Sequence, residues 1–566
     1  MSRGVLCLVA LLLTAPAWSQ TVSVIAPPPP PPPGMPVMPV SRDKPAKPGT
    51  AVLRGRVMGA DSGQPLRRAQ VRIGAAEIRE NRMTTTDAEG RYEFKEVQAG
   101  RYIITAFKGS YVSLQYGQQR PFEAGKPLEI LDGQTVEKVD FLLPRGGVIT
   151  GRIMDEFGEP LADAQVSAMR YQTMGGGRRR LVNAGRIATT NDIGEFRLFA
   201  IPPGQYYLSA TLRNMNMMGD SDDRSGYAPT YFPGTATIGD AQRITIGVGQ
   251  IVTDVAMALM PTRTAQVSGT AFDSQGRPMT GAIMPVPKGD TVMMTFGPSG
   301  QIRPDGSFTV NGLAPGTYTL QTQPMGADAE TAAAEVVVNG DDVSGVRLIG
   351  SRPSVLSGRM IADPAAARSL RPTQFRVMAT PVQVDSIMFG PMAGPGAVSD
   401  DWTFEVKVRP SGPMRLGLIG MPAGWGLRAV RYRGMDVTDS GIEFKPGEDV
   451  ADIEIEVTNQ ITEVSGLVSN ARGEAVKDYS VVVFSQDRDH WMAASRYVRT
   501  GRPDQDGRFK VSALPAGSYY AVAMDYLDAG DSSDPAVLER LRDKAATFSL
   551  NDGEKKTLDL KLTTSS

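Results

Sequence analysis

One histidine, His490, and one cysteine, Cys7, are all that 566 residues contain of the two side chains most used in metal binding and nucleophilic relay. A multi-histidine zinc site cannot be assembled from such a set. Charge excess is also missing: 60 Lys and Arg face 61 Asp and Glu, a net charge of −1. Binding a generic polyanion needs surplus cations on one face, so nucleic acid is not an expected partner. Long apolar runs are absent too. No stretch approaches the ~20 apolar residues of a membrane-spanning helix, so no transmembrane span is expected. Tryptophan is sparse, at four residues. What is abundant is glycine (61) and proline (42), together about 18% of the chain. A chain so rich in turn formers favours many short strands over long helices.

The N-terminus places Arg3 before an apolar run at residues 5–13, and Ala17 and Ser19 follow as small residues. Those three parts make a secretory signal peptide, cleaved after Ser19. Cys7 lies inside the apolar run and away from the cleavage site, so lipidation there is not expected, and the mature chain carries no cysteine. An exported protein without disulfides must rely on packed cores, which suits a bacterial envelope, periplasmic or extracellular. Residues 20–50 are a linker with an unbroken proline run at 27–33. Proline's fixed φ and missing N–H make this an extended, semi-rigid spacer.

After the linker the chain repeats itself. Each unit opens on a β-branched strand with a central glycine: Gly55, Gly151, Gly269, Gly358 and Gly466. A turn and a second strand follow, as in Gly63-Gln-Pro65-Leu-Arg-Arg-Ala69-Gln-Val71 and Gly158-Glu-Pro160-Leu-Ala-Asp-Ala164-Gln-Val166. Next comes a pair of glycines ten residues apart: 90/100, 194/204, 306/316 and 507/517. An aromatic stands two residues after the first glycine and a tyrosine two after the second, as in Gly90-Arg-Tyr92 and Gly100-Arg-Tyr102. The fourth unit is degenerate, with Trp402 at the first-glycine position. Between the turns apolar and polar residues alternate, so one face is buried and the other wet. Two turns at fixed spacing, in units of about 90–120 residues, indicate seven-stranded sandwiches. Helix is scarce; the best candidate starts at Pro535, with Asp534 as its N-cap.

This pattern resembles the carboxypeptidase regulatory-like domain family, of the prealbumin-like or carbohydrate-binding-like group. The resemblance is strong in the first, second, third and fifth units and weak in the fourth. It implies an all-β fold, a tandem array of about five seven-stranded Greek-key sandwiches. The expected borders are a signal peptide at 1–19, the linker at 20–50, and sandwiches at 51–146, 147–263, 264–353, 354–461 and 462–566. It transfers no activity, because one fold carries many roles. The zinc carboxypeptidase that the family name suggests needs two histidines and a glutamate, and a transthyretin-like hydrolase uses several histidines, so His490 alone suffices for neither. A Lys–Asn cross-link of the kind found in related surface sandwiches would need lysine on the first strand. Arg56, Arg152, Thr270, Arg359 and Leu467 stand after the strand glycines instead.

The remaining chemistry reduces to a few candidates. His490 lies in Asp487-Arg-Asp489-His490-Trp491 with no nucleophile-elbow motif, and reads as a loop residue. Asp220, Asp222 and Asp223, and Asp528, Asp531 and Asp534, gather oxygen donors but lack the distal glutamate of an EF-hand and read as solvated turns. Arg178, Arg179 and Arg180 read as a basic hairpin tip, and Trp402 as a core residue alternating with Phe404 and Val406. No catalytic residue, cofactor or metal is expected. For a sugar the relevant groups are exposed rings, and Trp491, Tyr227, Tyr231 and Phe232 are the candidate ligand-binding residues. Two functions stay open: a non-catalytic exported binding or scaffolding protein with carbohydrate as ligand, and a structural rod that docks envelope proteins by strand pairing.

Overall fold

Every unit opens with a strand hydrogen-bonded on both sides: Ala51–Gly59, Gly147–Met154, Ala265–Phe272, Ser354–Ala362 and Glu463–Ser469. Each runs antiparallel to the strand after the Asp-x-x-Gly turn or its counterpart. On the other side it runs parallel to the unit's closing strand. The strand glycine lies opposite the motif aromatic each time: Gly55 by Tyr92, Gly151 by Phe196, Gly269 by Phe308, Gly358 by Phe404, Gly466 by Phe509.

These glycines are required by a bulge in the closing strand. Lys138, Asp254, Gly345 and Asp452 take left-handed φ values of 60–73° there. The carbonyl of the next residue is thereby pushed over the first strand. A Cβ on Gly55, Gly151, Gly269 or Gly358 would sit 1.9 Å from that oxygen, and one on Gly466 would sit 2.0 Å from the Leu558 oxygen. In the first unit the Tyr92 hydroxyl also donates to the displaced Val139 carbonyl, at 2.6 Å.

The second sheet of each unit pairs its second strand with the strand after the second turn, as Gln70–Ala75 with Gly100–Phe107 and Ser480–Ser485 with Gly517–Met524. Apolar side chains between the sheets form a separate buried cluster in each unit. The tyrosine of the second turn fastens its corner. Tyr102, Tyr206, Tyr318 and Tyr519 each donate the phenol hydroxyl to the carbonyl four residues upstream, at 2.6–2.9 Å. The glycine two residues before leaves room for the ring to fold back. Tyr519→Phe should therefore lower stability by about 1 kcal/mol, the net worth of one hydrogen bond, read as a lower urea midpoint for the fifth unit.

The computed structural model describes residues 49–564 except 76–79, 174–178, 213–224, 290–298, 324–325, 327, 383–393, 410–411, 493 and 529. The signal peptide, nearly all of the linker, Arg178 and the cluster at residues 220–223 lie outside the described residues. Residues 49–566 make one compact body. Among the described residues, no helix is long and apolar enough to cross a membrane, and no three His, Cys, Asp or Glu side chains are placed to hold a metal ion. The helix Pro535–Arg542 starts where expected, its first turn capped by Asp534 Oδ1 on the Ala536 amide at 2.9 Å.

Three expectations need correction. Trp402 is not an alternating core residue: it is the left-handed residue of its turn, with φ 69°, where other units place glycine, and its half-buried ring packs against the core from the rim. Arg180 is not at an exposed tip: it lies in the strand Arg179–Asn183 and is buried. The units do not extend as an open rod, because the fifth folds back onto the first and second. A buried ion pair between Glu123 and Arg502 joins residues near opposite ends of the array.

Candidate functional site

The return contact is built around a short tip, residues 118–126, that leaves the second sheet of the first unit. Phe122 holds a left-handed φ of 63°, which turns its ring toward the second unit and sends Glu123 the opposite way. The Phe122 ring packs on the second unit's core, and the Arg170 guanidinium lies over it at 3.5 Å. Glu123 points into the fifth unit. Its Oε1 accepts from Arg502 Nη1 at 2.7 Å, and its Oε2 accepts from the Gln119 and Arg120 amides at 3.2 and 3.3 Å. Arg502 Nη2 donates to Asp478 at 2.8 Å, and Lys126 pairs with the same carboxylate at 3.1 Å. The Glu123 and Arg502 side chains are only 2% and 5% exposed, so water screens their attraction little. Reciprocal bonds between Glu129 and Gln505 and a contact of Arg120 on the Tyr526 ring extend the joint. Burial pushes the Tyr526 phenol above its ordinary range.

Beside the tip, the first and second units enclose a cleft of about 760 Å³. One wall is the end of the strand Gly100–Phe107 and the loop from Lys108 to Gln118; the other comes from Ala184–Arg186, Ala200 and Pro202. Arg68, Lys108 and Arg186 bring three cations, and Glu123 is the one carboxylate in the lining. Lys108 Nζ is held in place by the Arg67 carbonyl at 2.7 Å. Arg186 lies against Phe199 at 5.3 Å. Among the described residues neither Arg68 nor Arg186 has an acidic partner. Gln70, Gln115 and Gln118 supply amides, and Phe107, Tyr111, Pro121 and Pro202 supply apolar surface.

The half of the cleft that carries Arg68 and Lys108 lies in a segment with a family match. The model of the carboxypeptidase regulatory-like domain matches residues 52–143. That match falls within the first unit. It ends at the closing strand Phe141–Leu143, so the regulatory-like domain includes the bulge, the tip and one wall of the cleft. No relative is found among curated proteins. Among solved structures, a streptococcal ancillary pilin is 15% identical and covers 53% of this chain and 98% of its own, with a TM-score of 0.19. A minor pilin of Streptococcus agalactiae is 13% identical over 37% of this chain and 95% of its own, with a TM-score of 0.21. The major pilin subunit of Bacillus cereus is 11% identical over 53% and 99%, with a TM-score of 0.13. At these scores the likeness supports no inference about activity or assembly.

None of the rings singled out in the sequence lines the cleft. Trp491 is not the exposed platform expected of it. It is 4% exposed, its Nε1 donates to the Ser485 carbonyl at 2.7 Å, and Phe484 packs against its indole edge to face. Together with Leu538 and Leu541 of the helix it covers the outer face of the fifth unit's second sheet. Tyr231 does the same in the second unit, buried against Met169 and Leu181. Phe232 packs on the rim of that unit's main core. Tyr227 is half-buried, and its hydroxyl donates to Glu156 at 2.6 Å; desolvation, then that carboxylate, push the phenol up to about 12. His490 stacks on Tyr497 at 3.8 Å, and its Nδ1 lies 3.2 Å from the Ser485 hydroxyl. That hydroxyl also accepts from the Asp487 amide, and Ser485 is buried.

One missed feature left a trace in the sequence. The run Val481-Val482-Val483-Phe484 is continuous rather than alternating, and its strand is buried on both faces. Arg502, Glu123 and the cleft residues left none, because they are loop and strand-end residues of different units.

Proposed function

We propose that the chain is an exported, non-catalytic binding scaffold of the cell envelope. Its five sandwich modules span 51–146, 147–263, 264–353, 354–461 and 462–566, and its ligand site is the cleft between the first two. The carrying observation is the cleft itself: about 760 Å³, within the size range of ligand pockets, and lined by three cations and one carboxylate. The tip that borders it is clamped by the fifth module, which holds the walls in place before a ligand arrives. Carbohydrate is the proposed ligand class, since amide side chains suit sugar hydroxyls and the apolar lining suits a ring face.

The test is a glycan array probed with the mature chain, with hydrogen exchange on the bound state. Protection confined to residues 107–118 and 184–186 supports the reading. Binding that protects only other segments, or no glycan binding at all, overturns it. His490→Ala should leave any peptidase or esterase turnover of the preparation unchanged, and its loss would bring back an enzyme. A second reading, docking by strand addition, has one observation in its favour. The third unit's sheet ends on Ala333–Val338, which pairs on one side only and exposes Val337 at 56%. Recovery of an envelope protein that protects that strand would favour it.

A further inference from the structure

We propose that the cleft selects an acidic polysaccharide, a sugar polymer bearing carboxylates, over a neutral one. This rests on the reading of the cleft as the ligand site. The chain as a whole is electrically balanced, at −1, yet the cleft lining is not. Arg68, Lys108 and Arg186 face a single carboxylate, and Glu123 is already matched by Arg502 at 2.7 Å. The lining therefore holds three cations without counter-charges of its own. Such a lining attracts a ligand of opposite sign.

The shape of the site narrows the ligand. The cations stand on both walls, Arg68 and Lys108 on the first unit and Arg186 on the second, so one small anion does not satisfy them all. A chain with carboxylates at intervals does. Arginine's planar fork matches a carboxylate in two parallel hydrogen bonds, and among the described residues Arg68 and Arg186 have no acidic partner to give up first. Between the charges, Gln70 offers an amide to hydroxyls, and Tyr111 and Pro202 offer apolar surface to a pyranose face. A peptide with acidic side chains would meet the cations but would leave this mixed amide and apolar lining poorly used.

The experiment is titration calorimetry of the mature chain with a short oligogalacturonate, a neutral cello-oligosaccharide and an oligoglutamate, each followed by hydrogen exchange. We expect oligogalacturonate to bind one per chain, to protect residues 107–118 and 184–186, and to weaken as salt is raised. The double variant Arg68→Ala with Arg186→Ala should weaken it at least tenfold. Both side chains are exposed and, among the described residues, lack ion pairs, so the urea midpoint should not move. Equal or tighter binding of the neutral sugar in the cleft overturns this inference and leaves the cleft as a sugar site. Equal binding of oligoglutamate, or oligogalacturonate binding unchanged in the double variant, overturns it as well. If no probe protects the cleft, the reading on which it rests fails with it.

Discussion

Gly55→Ala destabilises the first sandwich by about 3 kcal/mol, whereas Gly74→Ala in the same sandwich leaves it unchanged or slightly more stable. Both glycines lie inside strands and neither has a positive φ. The difference is what a methyl group would meet. At Gly55 it would stand 1.9 Å from the Val139 oxygen and 2.8 Å from the Tyr92 hydroxyl, well inside van der Waals contact, and nothing lies within 4 Å of it at Gly74. The oxygen cannot yield, because the Val139 amide is tied to the Arg54 carbonyl at 3.1 Å and Asp140 takes the Arg56 amide at 2.8 Å. The closing strand must therefore separate from the first strand, and the Tyr92 bond is lost with it. At Gly74, alanine reduces the entropy of the unfolded chain, worth about 0.5–1 kcal/mol. Hydrogen exchange on the full chain separates the cases: Gly55→Ala should deprotect strands between residues 51 and 143 and leave the other units alone. Equal protection in the two variants would show that the bulge does not constrain the glycine.

Arg502→Met should release the fifth unit from the first. The change leaves Glu123, 2% exposed, with two backbone amides and no counter-charge. Removing one partner of a buried pair costs about 3–5 kcal/mol, because the remaining charge stays desolvated. Contacts between domains of one chain are small and polar as a rule, so a loss of that size exceeds what the rest of the joint can supply. The expected result is a larger radius of gyration by X-ray scattering and faster exchange at residues 119–126 and 499–505. The urea midpoints of the separate sandwiches should stay in place. Glu123→Gln combined with Arg502→Met removes both charges, and should recover part of the closure that the single change loses. An unchanged radius in Arg502→Met would show that the joint stands on its other contacts. Added salt should do little to the native joint, which distinguishes it from exposed pairs such as Arg263–Asp341.

The sequence alone determined the sandwich and its internal logic. The first glycine of each pair marks a turn, and in the first, second and fifth units the leading Asp or Asn accepts the amides two and four residues on, as Asp87 does from Glu89 and Arg91. The motif aromatics are core, from Tyr92 to Phe509, and the tyrosines make the corner bonds. These are local interactions within a few residues or between adjacent strands, and period-two patterning encodes them directly. The strand glycines were visible as a regularity, but their cause was not. In four units the bulge that demands them lies some 75–105 residues downstream and uses lysine, aspartate or glycine, which share a backbone angle and no side chain. Ring exposure was beyond reach for a similar reason. Trp491 sits in a polar segment, yet the helix folds over it, and only packing reveals that the fifth unit's second sheet is covered on both faces. The closure and the cleft were decided by tertiary structure alone. Glu123 and Arg502 are 379 residues apart, each an ordinary charged residue in its own unit, and what they do follows from the angles at which successive sandwiches meet.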